Sequence, residues 1–249
     1  MRKYIYVGCS HTKAIRLAVE ARKSEGVVND VHIIHLRDAK YVPEVYGATE
    51  SNPLGDAVRN YLGEQLPSTA HGAIISCLHG NFHNILGLMQ HPIPFDFILH
   101  ESPDLPLDRK ARIIPCQLLL DFMGEEVKKE AKLLSALRNL DDRVYHVESP
   151  PPVRNEEHIL RYADDYFSRR SIDTKGVSPP WLRYKLWRLY SLLVKAECER
   201  LGIRYVETPR SVCDEDGFLD ARGYYHDATH ANAWYGEAVL KAIESLRTE

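Results

Sequence analysis

Five short runs of apolar and β-branched residues punctuate the chain: Lys3 to Cys9, Val31 to Leu36, Ala73 to Leu78, Arg143 to Val147 and Arg204 to Glu207. Each is bounded by turn formers or charges, the pattern of strands buried inside a sheet. Between them the apolar positions recur at helical period. Thr12 to Ser24 sets Ile15 and Ala18 on a different face from Arg16 and Lys23, and Asn52-Pro53 supplies a cap and a first-turn proline for a helix reaching about Gln65. Cys116 to Leu140 reads as a long helix with Gly124 as the point where it would break, and Asn155 to Arg169 as another. Pro180 opens a third that Gly202 ends near Leu201, and the last helix runs from Asn232 to about Arg247.

Strands alternating with helices predict an α/β fold: a parallel sheet with helices on both faces, right-handed crossovers, and functional groups gathered at the carboxyl ends of the strands. Three such ends fall on one edge, at Ser10, at the Gly47 region and at Gly80-Asn81. A chain of 249 residues has room for one large domain or two small ones. No stretch reads as a linker, so a single domain over 1–249 is expected. The irregular stretches His91 to Pro115 and Ser149 to Val153 are expected to wall or cover a site, as long loops in compact α/β domains commonly do.

Composition narrows the function without naming it. Hydrophobic residues make up 44%, charged residues 27% and aromatic residues 9%, which is ordinary for a globular protein. A net charge of -3 gives no broad positive field for a nucleic-acid backbone, so nucleic acid is not an expected partner. The five cysteines are odd in number, scattered and without a CxxC, which points to reduced thiols rather than a disulfide framework or zinc knuckle. The apolar run Tyr4 to Val7 after Met1-Arg2-Lys3 is too short for a secretion signal or a membrane span, so a cytoplasmic protein with no membrane partner is expected.

Candidate chemistry lies at the two ends of the chain. Ser10 sits after the first strand at the mouth of a helix, where the helix dipole favours an oxyanion. Capping is the commoner job of such a serine, and neighbouring Thr12 suits that job equally well. Asp227 and His230 are three apart, so the carboxylate can accept the imidazole Nδ1 proton and leave Nε2 free as a base. The plainer alternative is an Asp cap on the final helix beside a solvated His. Asn81, after Gly80 at the end of strand three, can donate its side-chain amide to a developing oxyanion or simply hold a turn.

These stations, in this order, resemble the sequence blocks of the SGNH (GDSL-type) hydrolases. Gly8-Cys9-Ser10 is similar to the family's nucleophile block, Asn81 falls on its oxyanion asparagine, and Asp227-Ala228-Thr229-His230 on its Asp-x-x-His block. The glycine that donates an amide after strand two matches Gly47 better than Gly55. The resemblance implies a flavodoxin-like three-layer sandwich with a five-stranded parallel sheet ordered 2-1-3-4-5, and ester chemistry through a serine acyl-enzyme with no cofactor. It implies a small-molecule or glycan acyl ester as substrate. Cys9 stands where the family has Asp, which removes hydrogen bonds to nearby loops. Ser10-His11 is similar to a Gly-Asp-Ser-His variant in domains attached to sugar O-acyltransferases, so acyl transfer stands beside hydrolysis, and a catalytically silent binding domain beside both.

Other signals carry less. His79 and His83 are four apart, but Gly80 interrupts any helix between them and no carboxylate is close in sequence, so no metal site is expected. His32 and His35 point to opposite faces of a strand and read as structural. Trp181 to Leu193 interleaves aromatic residues with Arg183, Lys185 and Arg188 at helical spacing, the pattern of a core-facing stripe. No glycine-rich phosphate loop follows strand one, which leaves a nucleotide cofactor without support. The sequence sets no oligomeric state.

Overall fold

A computed structural model describes residues 3–27, 30–45, 52–66 and 72–246. In chain order its elements are β1 (Tyr4–Gly8), α1 (Thr12–Ser24), β2 (Val31–His35), α2 (Val42–Val45), α3 (Gly55–Gln65), β3 (Ala73–Cys77), α4 (Phe82–Gly87), β4 (Phe95–Asp96) and β5 (Arg112–Ile113). They continue with α5 (Cys116–Leu140), β6 (Val144–Val147), α6 (Glu156–Arg161), α7 (Asp165–Ser168), α8 (Ile172–Lys175), α9 (Pro180–Arg200), β7 (Arg204–Val206) and α10 (Ala233–Ser245). The main sheet is parallel throughout, ordered β2-β1-β3-β6-β7. Counted along the chain, its strands follow the expected order 2-1-3-4-5. β4 and β5 form a separate two-residue ladder.

Alternation along the strands builds two cores. Ile5, Val7, Ile34, Ile74 and Val144 pack with Leu62 of α3, Met123 and Leu134 of α5, and Leu186 and Leu189 of α9. Tyr4, Tyr6, Ile75 and Tyr145 pack on the opposite face with Ile15 and Ala18 of α1 and Val239 and Leu240 of α10. The three layers follow directly, since a fully buried Leu, Ile or Val contributes about 1.5–3 kcal/mol only when both sheet faces are covered.

The first and last helices pack closely. A Cβ on Gly236 would lie 2.1 Å from the Ala14 carbonyl oxygen, so only glycine lets α10 approach α1 this far. Arg22 of α1 then bridges Glu237 at 2.7 Å and Glu244 at 2.5 Å on α10. This contact brings residues from the two ends of the sequence to one edge of the sheet.

Several expected boundaries move. α5 runs unbroken through Gly124, because the cost of a mid-helix glycine, about 1 kcal/mol, is small against the face formed by Leu119, Met123, Val127, Leu134 and Leu137. Asn155 to Arg169 is not one helix: α6 ends at Arg161, and the Asp164 carboxylate accepts from the amides of Tyr166 and Phe167 to start α7. α3 begins at Gly55 rather than Pro53, since Asn52 to Gly55 forms a turn closed by Gly55 N–H to the Asn52 carbonyl at 3.2 Å. α10 starts after Asn232, whose side chain caps it, and Arg247 lies outside the described residues.

The aromatic and basic segment is core, as expected, but two of its cations are buried with it. Arg183 donates to the carbonyls of Ser178, Val153 and Arg154, tying down the segment that follows the three prolines. Lys185 pairs with Asp96 at 2.6 Å with both side chains almost wholly buried, and also donates to the Pro106 carbonyl. Asp96 accepts in turn from the amides of Phe97 and Asp108. A buried pair satisfied on all sides pins the His91 to Pro115 stretch to α9. Among the described residues no helix is long and apolar enough to cross a membrane.

Candidate active site

The segment before α10 is organised by one carboxylate. Asp227 Oδ1 accepts from the backbone amides of Thr229 at 3.1 Å and His230 at 2.8 Å, and Oδ2 lies 3.0 Å from His230 Nδ1. A carboxylate acceptor at Nδ1 places the proton there and leaves Nε2 as the basic nitrogen. Burial pushes the Asp227 carboxyl up, but the His230 hydrogen bond and charge and the two amides outweigh it and hold it well below the usual carboxylate range. Lys13 of α1 adds a cation 3.6 Å from Oδ2.

The same loop is braced from outside. His158 of α6 has Nε2 within 2.9 Å of the Tyr225 carbonyl and 3.3 Å of the Asp227 carbonyl. Asn232 accepts from Trp234 N–H and donates to the carbonyls of Arg222 and Tyr224. Lys13, His158 and Asn232 all support the couple, and the sequence marks none of them as part of the site, Asn232 standing there only as the start of the last helix. Asn232 follows His230 by two residues at a helix start, which is the signal that would have found it.

Ser10 lies in the turn between β1 and α1, a turn closed by Thr12 N–H to the Cys9 carbonyl and Lys13 N–H to the Ser10 carbonyl. No side chain caps α1, so the Ser10 hydroxyl is not committed to the helix. Thr12 instead turns its own hydroxyl back to the Cys9 carbonyl at 2.7 Å. His230 Nε2 is buried without a hydrogen-bond partner, so no bond joins it to Ser10 Oγ. Both residues line the same cavity.

Asn81 occupies the residue before α4, yet its side chain does not cap that helix. Its Oδ1 accepts from Asn84 Nδ2 at 2.8 Å, which orients the Asn81 amide and leaves its own NH₂ as a donor on the cavity wall. The chain reaches Asn81 through His79, held at a φ of 55°, a left-handed conformation uncommon outside glycine. Gly80 is required for a different reason: a Cβ there would fall 1.6 Å from Cδ2 of His11. His11 in turn sits 5.5 Å from His230, ring centre to ring centre. Burial, with His230 and His83 as neighbours, pushes the His11 imidazole down to about 3, so a neutral His11 ring faces His230.

The cavity measures about 670 Å³. Cys9, Ser10, Asn81 and His230 contribute to one part of its wall, Glu126, Lys129 and Glu130 of α5 to another, and Phe82 and Ile85 of α4 to a third. No residue of His91 to Pro115 or of Ser149 to Val153 lines it, contrary to expectation. The first stretch is spent on the buried Lys185–Asp96 pair, and part of the wall comes from α5, which the sequence marks only as a long helix. Gly47 lies outside the described residues. His79 Nδ1 stands 3.4 Å from Glu130 Oε2, and among the described residues no group of three or more His, Cys, Asp or Glu is arranged to hold a metal ion.

No protein-family model and no curated protein matches the sequence. Solved structures similar to this chain include a GDSL-like lipase from Bacteroides thetaiotaomicron, at 11% identity and a TM-score of 0.44 over 98% of this chain and 85% of that one. A lipopolysaccharide acetyltransferase periplasmic domain from Salmonella ser. Paratyphi A aligns at 9% identity and a TM-score of 0.49, over 98% and 83%. A phospholipase A1 from Streptomyces albidoflavus aligns at 10% identity and a TM-score of 0.43, over 98% of each chain. Likenesses this distant carry no argument about what this chain does, which rests on its own residues.

Proposed function

We propose that the chain is a serine esterase acting through Ser10, His230 and Asp227. Ser10 Oγ attacks the ester carbonyl carbon as His230 Nε2 takes the hydroxyl proton. Asp227 holds the ring and stabilises the imidazolium. The carbonyl oxygen becomes an oxyanion that Asn81 Nδ2 and the Ser10 amide hold, with Gly47 as the proposed third donor. Collapse breaks the bond to the alcohol, which leaves with the proton from His230. Water, deprotonated by the same ring, then cleaves the acyl-serine and restores the hydroxyl.

The observation that carries this reading is the Asp227–His230 couple, whose histidine, with its Nε2 buried and unpartnered, lines the same cavity as Ser10 and Asn81. A cavity of about 670 Å³ has room for an acceptor hydroxyl beside the ester, which supports O-acyl transfer as the second outcome of the same acyl-enzyme. Product analysis with and without a sugar acceptor separates the two.

A fluorophosphonate probe tests the mechanism directly. The expected result is one covalent adduct mapped to Ser10 and absent from Ser10→Ala. Equal labelling of Ser10→Ala would move the nucleophile elsewhere.

A further inference from the structure

The α4 helix that follows Asn81 carries an apolar track leading out of the cavity. Phe82, the next residue, lines the cavity and packs against Phe122 of α5 at a ring-centre distance of 5.6 Å and against Tyr190 at 6.0 Å. Ile85, one turn further along α4, also lines the cavity and is 53% exposed. On α5, Phe122 is 53% exposed and Leu118, one turn before it, 58%. Leu118, Phe122, Glu126 and Glu130 fall at four-residue intervals, so they form one ridge of the helix about 18 Å long. Its inner half, Glu126 and Glu130, belongs to the cavity wall, and its outer half is apolar and open to solvent.

Large apolar side chains left half-exposed next to a cavity are a cost in water unless something covers them. The occupant follows from where the track starts. Asn81 is the residue assigned to the substrate's carbonyl oxygen, so whatever is bonded to that carbonyl carbon begins at the foot of α4, against Phe82. A polar or charged group there would face Phe82, Ile85 and Phe122 with no hydrogen-bonding partner among them. A hydrocarbon chain would bury its own surface and theirs.

We infer that Phe82, Ile85, Phe122 and Leu118 form an acyl-chain subsite, and that the substrates are esters of medium-length or longer fatty acids rather than acetyl esters. The inference rests on the esterase reading for the position of the carbonyl, and it adds the class of acid. Each methylene fully removed from water is worth about 0.8 kcal/mol, or about fourfold. On an open ridge that covers one side of the chain about half of that applies, or roughly twofold per methylene.

The test is a p-nitrophenyl ester series from acetate through butyrate to octanoate, run on the wild type, on Phe122→Asp and on Val27→Asp as an exposed apolar control three residues beyond the end of α1. For the wild type, kcat/KM should rise on the order of 10- to 100-fold from acetate to octanoate. Phe122→Asp should cut the octanoate-to-acetate ratio at least tenfold, and Val27→Asp should leave it unchanged. A flat series, or an unchanged ratio in Phe122→Asp with normal circular dichroism, overturns the inference while leaving the esterase reading intact. A gain with octyl acetate over ethyl acetate in place of the acyl series overturns it too, by assigning the track to the alcohol.

Direct calorimetric titration with decanoate and with butyrate gives a readout that needs no turnover. Decanoate binding weakened by Phe122→Asp supports the subsite even if Ser10 takes no label. Absence of decanoate binding overturns it. Sedimentation of both proteins closes the last route: a wild-type dimer that Phe122→Asp dissociates would make the ridge a contact between copies and sink the proposal.

Discussion

The two sides of the cavity are built by different physics. On the His230 side, one carboxylate makes three hydrogen bonds of defined geometry to residues within three positions of it, and Lys13 and His158 brace it from elsewhere in the chain. On the Asn81 side the arrangement depends on shape: a left-handed His79, a glycine with no room for a Cβ beside His11, and an amide turned by Asn84. The first side is specified by charge over a short span of sequence. The second is specified by how distant elements fit, with buried neutral rings in place of ion pairs.

Breaking the charged side should have the larger effect. Asp227→Asn keeps the shape but offers Nδ1 an amide instead of a carboxylate, so the ring loses both its tautomer and its counter-charge. A loss on the order of 10⁴ in kcat is expected with short esters. Loss of less than tenfold would show that His230 is oriented by something other than Asp227.

On the other side, Asn81→Ala removes one oxyanion donor and should lower kcat on the order of 10²–10³ with little change in the melting temperature. Full activity in that variant would remove Asn81 from the mechanism.

The neutral rings predict a pH effect on stability. Burial pushes His79 down to about 4 and His83 to about 3, while in the unfolded chain both titrate near the ordinary histidine value of about 6.5. Between those values the unfolded chain binds protons that the folded chain does not, so stability is complete above about pH 6.5 and falls as the pH drops towards 4. Each histidine should cost about 2 kcal/mol by pH 5. Burial holds His11 and His146 down as well, so His83→Leu, which also removes two unpartnered ring nitrogens, should flatten the profile by about a quarter in denaturant titrations at pH 7.5 and pH 5. An unchanged slope in His83→Leu would place the acid sensitivity in other groups.

Asn84→Ala should have the smallest effect. It leaves Asn81 present but unoriented, and kcat should fall about tenfold with KM unchanged, since the contact matters where charge develops. An effect on KM alone would make Asn84 a substrate-binding residue rather than a positioning one.

The same contrast explains what was legible in the sequence. The five strands and the Asp227–His230 contact rest on local signals, short runs of apolar and β-branched residues and a carboxylate three residues from an imidazole, whereas the strand order followed only from the resemblance. Ser10 was located because strand ends in a parallel sheet share an edge. The α5 wall was not legible, because Leu119, Met123 and Val127 mark one face as core and give no sign that Glu126, Lys129 and Glu130 line a cavity. Nor was the role of His91 to Pro115. Its position depends on Asp96 meeting Lys185, a partner 89 residues away. Asn155 to Arg169 was misread because the Asp164 cap sits inside what looked like one continuous helical pattern.

The close packing of α10 on α1 through Gly236 also sets a mechanical tolerance: any side chain at position 236 meets the Ala14 carbonyl and forces the two helices apart. Because β1 leads through the Ser10 turn into α1, and the Asp227–His230 loop leads into α10, widening that seam would shift one loop against the other.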